Sequence, residues 1–114
     1  MDQSVEKKLG IRLKIWLEID ERPVIGEGRL KILKAIDETG SLLAASKKTG
    51  VAYRKLRGAV HDMENLIGRP IISTHRGGGD GGGAVLTPLA HDLIARYEKD
   101  LAMFQKSLSE QSKK

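Results

Sequence analysis

The spacing of apolar residues changes several times along the chain, and each change predicts a new element. Residues 10–19 alternate between apolar and polar positions, as a half-buried strand does. Residues 20–28 contain glycine and proline and predict a loop. Over 27–39 leucine and isoleucine recur every third residue, which predicts a helix, and Gly40 is the residue expected to end it.

Two more helices and a tight turn are predicted next. Ser41 is a suitable N-cap for a short helix over 42–48, and the Thr-Gly-Val tripeptide that follows predicts a turn. A longer helix is expected over 52–67, because its apolar residues lie four, three and four positions apart. Gly68 is expected to end that helix.

A hairpin and a last helix complete the predicted order. Short strands are expected at 71–75 and 84–86, joined by a loop that holds six glycines. Thr87 and Pro88 are a typical helix start, and this helix is expected to run to about Ser107. The order predicts an α+β fold, namely a winged helix-turn-helix with an N-terminal strand and a long C-terminal dimerisation helix.

Charge is sorted along the chain. The formal net charge is +5, and the stretch from Gly40 to His61 contains no Asp or Glu but five lysines and arginines. A basic excess favours a polyanionic partner. Because the acid-free stretch covers the helix pair around the predicted turn, it indicates a basic helix-turn-helix unit.

The turn and the helix after it support this interpretation. Ala45 is small enough for two helices to cross closely, and Gly50 suits a left-handed turn position. On a wheel of about 100° per residue, the second helix buries Leu56, Val60, Met63 and Ile67. Its opposite side carries Arg54, Arg57, Gly58, His61 and Asn65.

In a helix-turn-helix the exposed side of the second helix enters the major groove, where arginine pairs with guanine. Phosphate contacts are expected from Lys47, Lys48, Tyr53 and Lys55. Gly58 is either a site of close approach to DNA or an incidental exposed glycine. His61 is either a base reader or, as the simpler interpretation, a solvated histidine.

The glycine-rich loop has three interpretations. As a wing, it would touch phosphates or the adjacent minor groove through Arg69, Arg76, Gly77, Gly78 and Gly79. A nucleotide-binding loop is disfavoured, because a strand follows the glycines instead of a helix and no Gly-Lys follows. A plain hairpin loop stays open as the third interpretation.

The last helix carries a heptad-like seam. Its apolar residues are spaced 4-3-4-3-4, at Ala90, Ile94, Tyr97, Leu101, Phe104 and Leu108. The alternative is that this stripe packs on its own domain. A small domain does not easily cover a helix of about 20 residues, so we expect a homodimer interface.

Patterns for catalysis or metal binding are absent from the sequence. It has no cysteine, and its three histidines lack metal-ligand spacing. We therefore expect no catalytic residue, no metal, no cofactor and no enzymatic activity. No apolar run approaches a membrane span and the N-terminus lacks a signal-peptide core, so we expect a cytoplasmic protein without a membrane partner.

Two motifs resemble a known family. They are the core Gly40, Ser41, Leu42, Ala45, Gly50, Val51 and Tyr53, and the wing Arg76-Gly-Gly-Gly followed by Gly-Gly-Gly-Ala-Val-Leu-Thr. Both are similar to the N-terminal DNA-binding domain of the molybdate-responsive transcription regulators (ModE type), related to the LysR-type winged helix. The resemblance covers about Gly10 to Leu108. It implies a homodimer that binds palindromic DNA through Tyr53, Arg54 and the wing.

The resemblance also has limits. The family usually has Ser where this chain has Ala52 and often has Trp where it has Arg57, so no operator sequence is implied. Its full-length members carry C-terminal molybdate-binding domains. No such segment follows the last helix here, so we expect a stand-alone domain without a small-molecule effector.

The expected function is sequence-specific binding of double-stranded DNA by a homodimeric transcription regulator. Four parts are expected: a flexible N-terminus at 1–9, the DNA-binding domain at 10–87, the dimerisation helix at 88–108 and a polar tail at 109–114. The expected DNA contacts are Ser41, Lys47, Lys48, Tyr53, Arg54, Lys55, Arg57, Gly58, His61, Arg76, Gly77, Gly78 and Gly79. Two alternatives stay open, a non-specific DNA-organising protein and a winged-helix protein-interaction module.

Overall fold

A computed structural model describes residues 1–75 and 83–112 of the chain. The elements, in order, are α1 (Gln3–Glu6), β1 (Leu17–Ile19), β2 (Arg22–Ile25), α2 (Glu27–Thr39), α3 (Leu42–Thr49), α4 (Tyr53–Ile67), β3 (Ile72–His75), β4 (Gly83–Leu86) and α5 (Pro88–Ser112). The predicted α+β class and the order of the three central helices, hairpin and last helix are confirmed. None of the described helices has the length and apolar character needed to cross a membrane.

The predicted N-terminal strand is much shorter than expected. Only Leu17–Ile19 forms a strand, and it pairs antiparallel with Arg22–Ile25, where a loop was predicted. Asp20 and Glu21 join the two strands with φ of 51° and 66°. A two-residue hairpin turn with both residues left-handed has this conformation. The sequence concealed it because Glu21 stands where such a turn usually has Gly.

The N-terminal residues contain a short helix that the sequence did not predict. This is α1, in the segment expected to be flexible, and it buries none of its residues. The Asp2 side chain accepts a hydrogen bond from Ser4 N at 2.8 Å, and hydrogen bonds from Ser4 hold the pKa of this carboxyl below its usual value. The helix is therefore organised locally, by its cap, rather than by packing.

The three central helices begin and end where the sequence signals predict, to within one residue. Gly40, Gly50 and Gly68 are left-handed C-caps with φ of 76°, 76° and 79°. The Ser41 hydroxyl accepts a hydrogen bond from Ala44 N at 2.9 Å and caps α3. Together α2, α3 and α4 bury the centre of the core, which includes Ile32, Leu33, Ile36, Ala45, Leu56, Val60 and Met63.

The hairpin β3–β4 packs beside these helices. Its strands pair antiparallel from Ile72↔Leu86 to His75↔Gly83. Ile71, Ala84 and Leu86 belong to the same core. The connecting loop, with the predicted contacts Arg76, Gly77, Gly78 and Gly79, lies outside the described residues.

The last helix is longer and more deeply packed than predicted. It runs to Ser112 rather than to about Ser107. Ala90 and Tyr97 are buried in the core of this same chain, and Tyr97 Oη donates a hydrogen bond to the Ile15 carbonyl at 3.0 Å. This corrects the expectation that these two residues face a partner, because their surfaces are already covered.

Candidate nucleic-acid interface

The crossing of α3 and α4 is fixed by a small residue and a tight turn. Ala45 is fully buried between the helices, and Gly50 takes the left-handed conformation that a side chain would strain. The Ser46 hydroxyl donates to the Val51 carbonyl at 2.6 Å. Thr49 Oγ1 donates to the Ala45 carbonyl at 2.8 Å and accepts from Val51 N at 3.2 Å. These bonds satisfy the backbone of the turn and hold α4 at a set angle.

Sequence reasoning did not assign a role to Ser46 or Thr49. Both are polar residues in the last turn of α3, where hydroxyls commonly bond to nearby backbone groups. Their position at the end of a helix was therefore the signal from which these hydrogen bonds could have been predicted.

The helix α4 has one buried and one exposed side, as its spacing predicts. Leu56, Val60 and Met63 are at most 2% exposed. The exposed side carries Arg54, Arg57, Gly58, His61 and Asn65. Since α3 and the core cover the inner side, this outer side is available to a ligand.

Four basic residues of α4 and the end of α3 have no acidic partner among the described residues. Across residues 1–75 and 83–112, Lys47, Arg54, Lys55 and Arg57 take part in no ion pair. All four are exposed, and the acid-free stretch of the sequence surrounds them. Their field is therefore directed to solvent, where a polyanion would meet it.

Lys48 differs from its neighbour Lys47. Its ammonium group donates to a Glu38 carboxylate oxygen. This hydrogen bond, followed by the charge of Lys48, holds the pKa of Glu38 below its usual value. A phosphate contact by Lys48 would therefore have to replace an existing carboxylate contact.

The remaining predicted contacts on α3 and α4 occupy different surroundings. A Cβ at Gly58 would meet no described atom within 4 Å, so packing inside the chain does not explain a residue that costs a helix about 1 kcal/mol. Tyr53 is 42% exposed. His61 is exposed, with Nδ1 3.9 Å from Glu64 Oε1. Ser41 is half-buried, and its hydroxyl is occupied by the α3 cap.

Glu64 is the functional candidate that the sequence analysis missed. Its Oε2 accepts hydrogen bonds from Ile71 N at 2.9 Å and Ile72 N at 3.5 Å, which links α4 to the start of the hairpin. The available signal in the sequence was an acid that comes soon after the acid-free stretch from Gly40 to His61. The described residues hold no group of three or more side chains that could bind a metal.

Comparison with known proteins gives several relatives in sequence. No family model matches the chain. The molybdenum-pterin-binding protein MopB of Rhodobacter capsulatus is 40% identical over an alignment of 92 positions that covers 75% of this chain and 34% of the relative. The transcriptional regulator ModE of Yersinia pestis is 32% identical over 93 residues, which are 82% of this chain and 35% of the relative.

The chain belongs to the ModE-type family of regulators. It spans about a third of the length of these curated relatives. The matching third contains the helix-turn-helix described above. The resemblance seen in the motifs of the sequence is thereby confirmed.

Solved structures place this ModE-type domain in the LysR-type winged-helix fold. The DNA-binding domain of CbnR, solved as a complex with DNA, superposes with a TM-score of 0.56 at 20% identity, over 75% of this chain and 92% of that domain. The BenM DNA-binding domain, solved on catB site 1 DNA, gives a TM-score of 0.52 at 20% identity, over 75% and 90%. At this identity the similarity establishes the fold alone.

Proposed function

We propose that this ModE-type domain binds double-stranded DNA sequence-specifically, as a homodimeric transcription regulator. The observation that carries the proposal is the uncompensated basic side of α4. Lys47, Arg54, Lys55 and Arg57 lie in or beside the second helix of a helix-turn-helix and have no carboxylate partner among the described residues. DNA supplies the missing negative charge.

The contacts divide into base readers and phosphate contacts. Arg54 and Arg57, in the N-terminal half of α4, are proposed to pair with guanine O6 and N7 in the major groove. Lys47, Lys55 and Tyr53 are proposed to bind phosphate oxygens, which position the domain without reading sequence. Gly58 would allow the backbone of α4 to come close to the groove, since its surroundings are open.

The other predicted contacts are assigned weaker or less defined roles. Lys48 would bind phosphate only after leaving Glu38, and Ser41 would act chiefly through the cap of α3. His61 is proposed as a peripheral contact at the outer edge of the helix. The wing, with Arg76 and the glycines that follow, is proposed to contact the adjacent phosphates or minor groove. The names of the relatives and the DNA-bound state of the structural neighbours support the class of partner.

The homodimer is proposed to form on the C-terminal half of α5, called its outer half below. This helix has 25 residues, about 37 Å at 1.5 Å per residue, and its second half leaves Met103 and Phe104 56% and 49% exposed. Ile94 and Leu101 pack partly against the core, so they would contribute only their remaining surface, as would the half-buried Leu108. Two recognition helices one DNA turn apart, about 34 Å, would require a near-palindromic site.

The proposed function does not extend to molybdenum. The ligand in the name of MopB belongs to a protein of which this chain matches 34%. We therefore propose DNA and a second copy of the chain as partners, and no small-molecule effector for these residues.

Selection from a random duplex pool tests the proposal. The chain is expected to enrich a near-palindromic site and to bind it at least ~10³-fold more tightly than random duplex at ~0.15 M salt. A ratio below ~10 would favour the DNA-organising alternative. No binding to any duplex would overturn the proposal and leave the protein-interaction module.

A further inference from the structure

The hairpin β3–β4 is hydrogen-bonded to α4, the proposed recognition helix, through one carboxylate oxygen. Glu64 Oε2 accepts from Ile71 N at 2.9 Å and from Ile72 N at 3.5 Å. Ile71 is fully buried, so its N–H needs a partner within the protein. Hydrogen bonds to a charged acceptor are stronger than those to a neutral one. Glu64 therefore holds Ile71, the residue before β3, and the first residue of β3 against α4.

The second strand of the hairpin is attached elsewhere. Ala84 N donates to the Gly40 carbonyl at 2.8 Å, which ties β4 to the end of α2. Thr87 N donates to the Ile71 carbonyl at 3.0 Å and closes the base of the hairpin. Without Glu64, β4 would keep its attachment to α2 while β3 lost its direct bonds to α4.

The position of Glu64 is unfavourable for a helix that binds DNA. Glu64 lies one helical turn after His61, which is on the exposed side of α4, and its Oε1 is 3.9 Å from His61 Nδ1. A negative charge there weakens the attraction of a phosphate backbone. The other acid of this helix, Asp62, pairs with Arg29 at 2.7 Å and makes no bond to the hairpin. The hydrogen bonds of Glu64 to Ile71 and Ile72 therefore give a structural reason for a carboxylate at a position where its charge disfavours DNA binding.

We propose that Glu64 is a positioning residue for DNA binding, which sets the angle between the recognition helix and the hairpin so that both meet one DNA surface. The inference rests on the proposed function. It adds that the helix and the hairpin bind DNA as one unit, because an α4 residue supplies the acceptor for the backbone of β3.

Two substitutions of Glu64 separate hydrogen bonding from charge. Because one oxygen accepts both hydrogen bonds, the single carbonyl oxygen of Glu64→Gln can replace it. Glu64→Met has nearly the same length and no carbonyl oxygen. Both variants are uncharged, so a difference between them does not come from a difference in charge. Asp62→Asn is the control for the loss of a carboxylate from the same helix.

Amide hydrogen exchange in the free protein tests the attachment. The amides of Ile71 and Ile72 are expected to be protected in the unmodified chain and in Glu64→Gln, and to exchange ~10-fold or more faster in Glu64→Met. Equal exchange in the two variants would overturn the inference. If Glu64→Met does not fold, Glu64→Ala removes the same acceptor without adding apolar surface and replaces it in both arms.

Binding to the selected duplex, with folding checked by circular dichroism, tests the consequence. Glu64→Met is expected to bind ~10-fold more weakly than Glu64→Gln, while Glu64→Gln and Asp62→Asn match or exceed the unmodified chain. Faster exchange with equal affinity in the two Glu64 variants would overturn the role in DNA binding. If the unmodified chain bound no duplex, the proposed function would fail and this role with it, whereas the exchange arm would still decide the attachment.

Discussion

At the scale of single residues, Tyr97 shows why a pattern of spacing does not reveal what covers a helix face. The heptad spacing correctly places Tyr97 on an apolar face of α5. The structure covers that face with the segment around Ile15, 82 residues earlier in the sequence. No local signal connects positions so far apart, so the sequence favoured a partner chain.

The hydrogen bond of Tyr97 gives a test of stability. Tyr97→Phe keeps the ring and removes the bond to the Ile15 carbonyl, so the free energy of unfolding should fall by about 1 kcal/mol. Urea denaturation at neutral pH measures it. Tyr53→Phe, at a tyrosine that is 42% exposed, is the matched control and should change little. Equal effects of the two substitutions would contradict the packing of residues near Ile15 on α5.

The same tyrosine predicts a dependence on pH. Burial, followed by the charge of Glu27, raises the pKa of Tyr97 above its ordinary value of 10.0. The unfolded chain therefore loses this proton first, and the associated stability is present below pH 10 and lost as the pH rises toward the folded-state pKa. Tyr97→Phe should remove this alkaline loss, whereas Tyr53→Phe should retain it.

At the scale of elements, the helices were predicted better than the strands. The bounds of α2 and α4 follow from periodicity and from glycines at left-handed caps, which are local signals. The strand β2 was missed because Pro23, Gly26 and Gly28 predict a loop over 20–28 and the two-residue turn at Asp20 and Glu21 lacks a glycine. The end of α5 was placed too early, because the polar residues after Leu108 resemble a tail but continue the helix to Ser112.

The outer half of α5 gives the test of assembly. Met103→Glu with Phe104→Glu places two charges on exposed apolar positions without entering the core, unlike a change at the half-buried Leu101. We expect a folded monomer that binds the near-palindromic site at least ~10-fold more weakly. Analytical ultracentrifugation measures the oligomeric state. Gln105→Glu is the control, and a monomeric unmodified protein at high micromolar concentration would contradict the proposed dimer.

At the scale of the whole molecule, charge sorting made the candidate surface predictable. An acid-free stretch that coincides with a helix-turn-helix is visible in the sequence, and so is the outer side of α4. The pairing of Lys48 with Glu38 and the bonds of Glu64 to the hairpin were not visible. Both join residues of different elements, so they depend on how the helices and the hairpin pack.

The central claim is that α4 reads bases while its surroundings hold phosphates. Fluorescence anisotropy on the selected duplex and on a random duplex, at several salt concentrations, tests it most directly. Arg54→Ala should cost about 1–3 kcal/mol on the selected site and much less on random DNA. Lys47→Ala should weaken binding to both duplexes alike. It should also reduce the slope of log binding constant against log salt concentration by about one. Equal losses for Arg54→Ala on the two duplexes would contradict the claim.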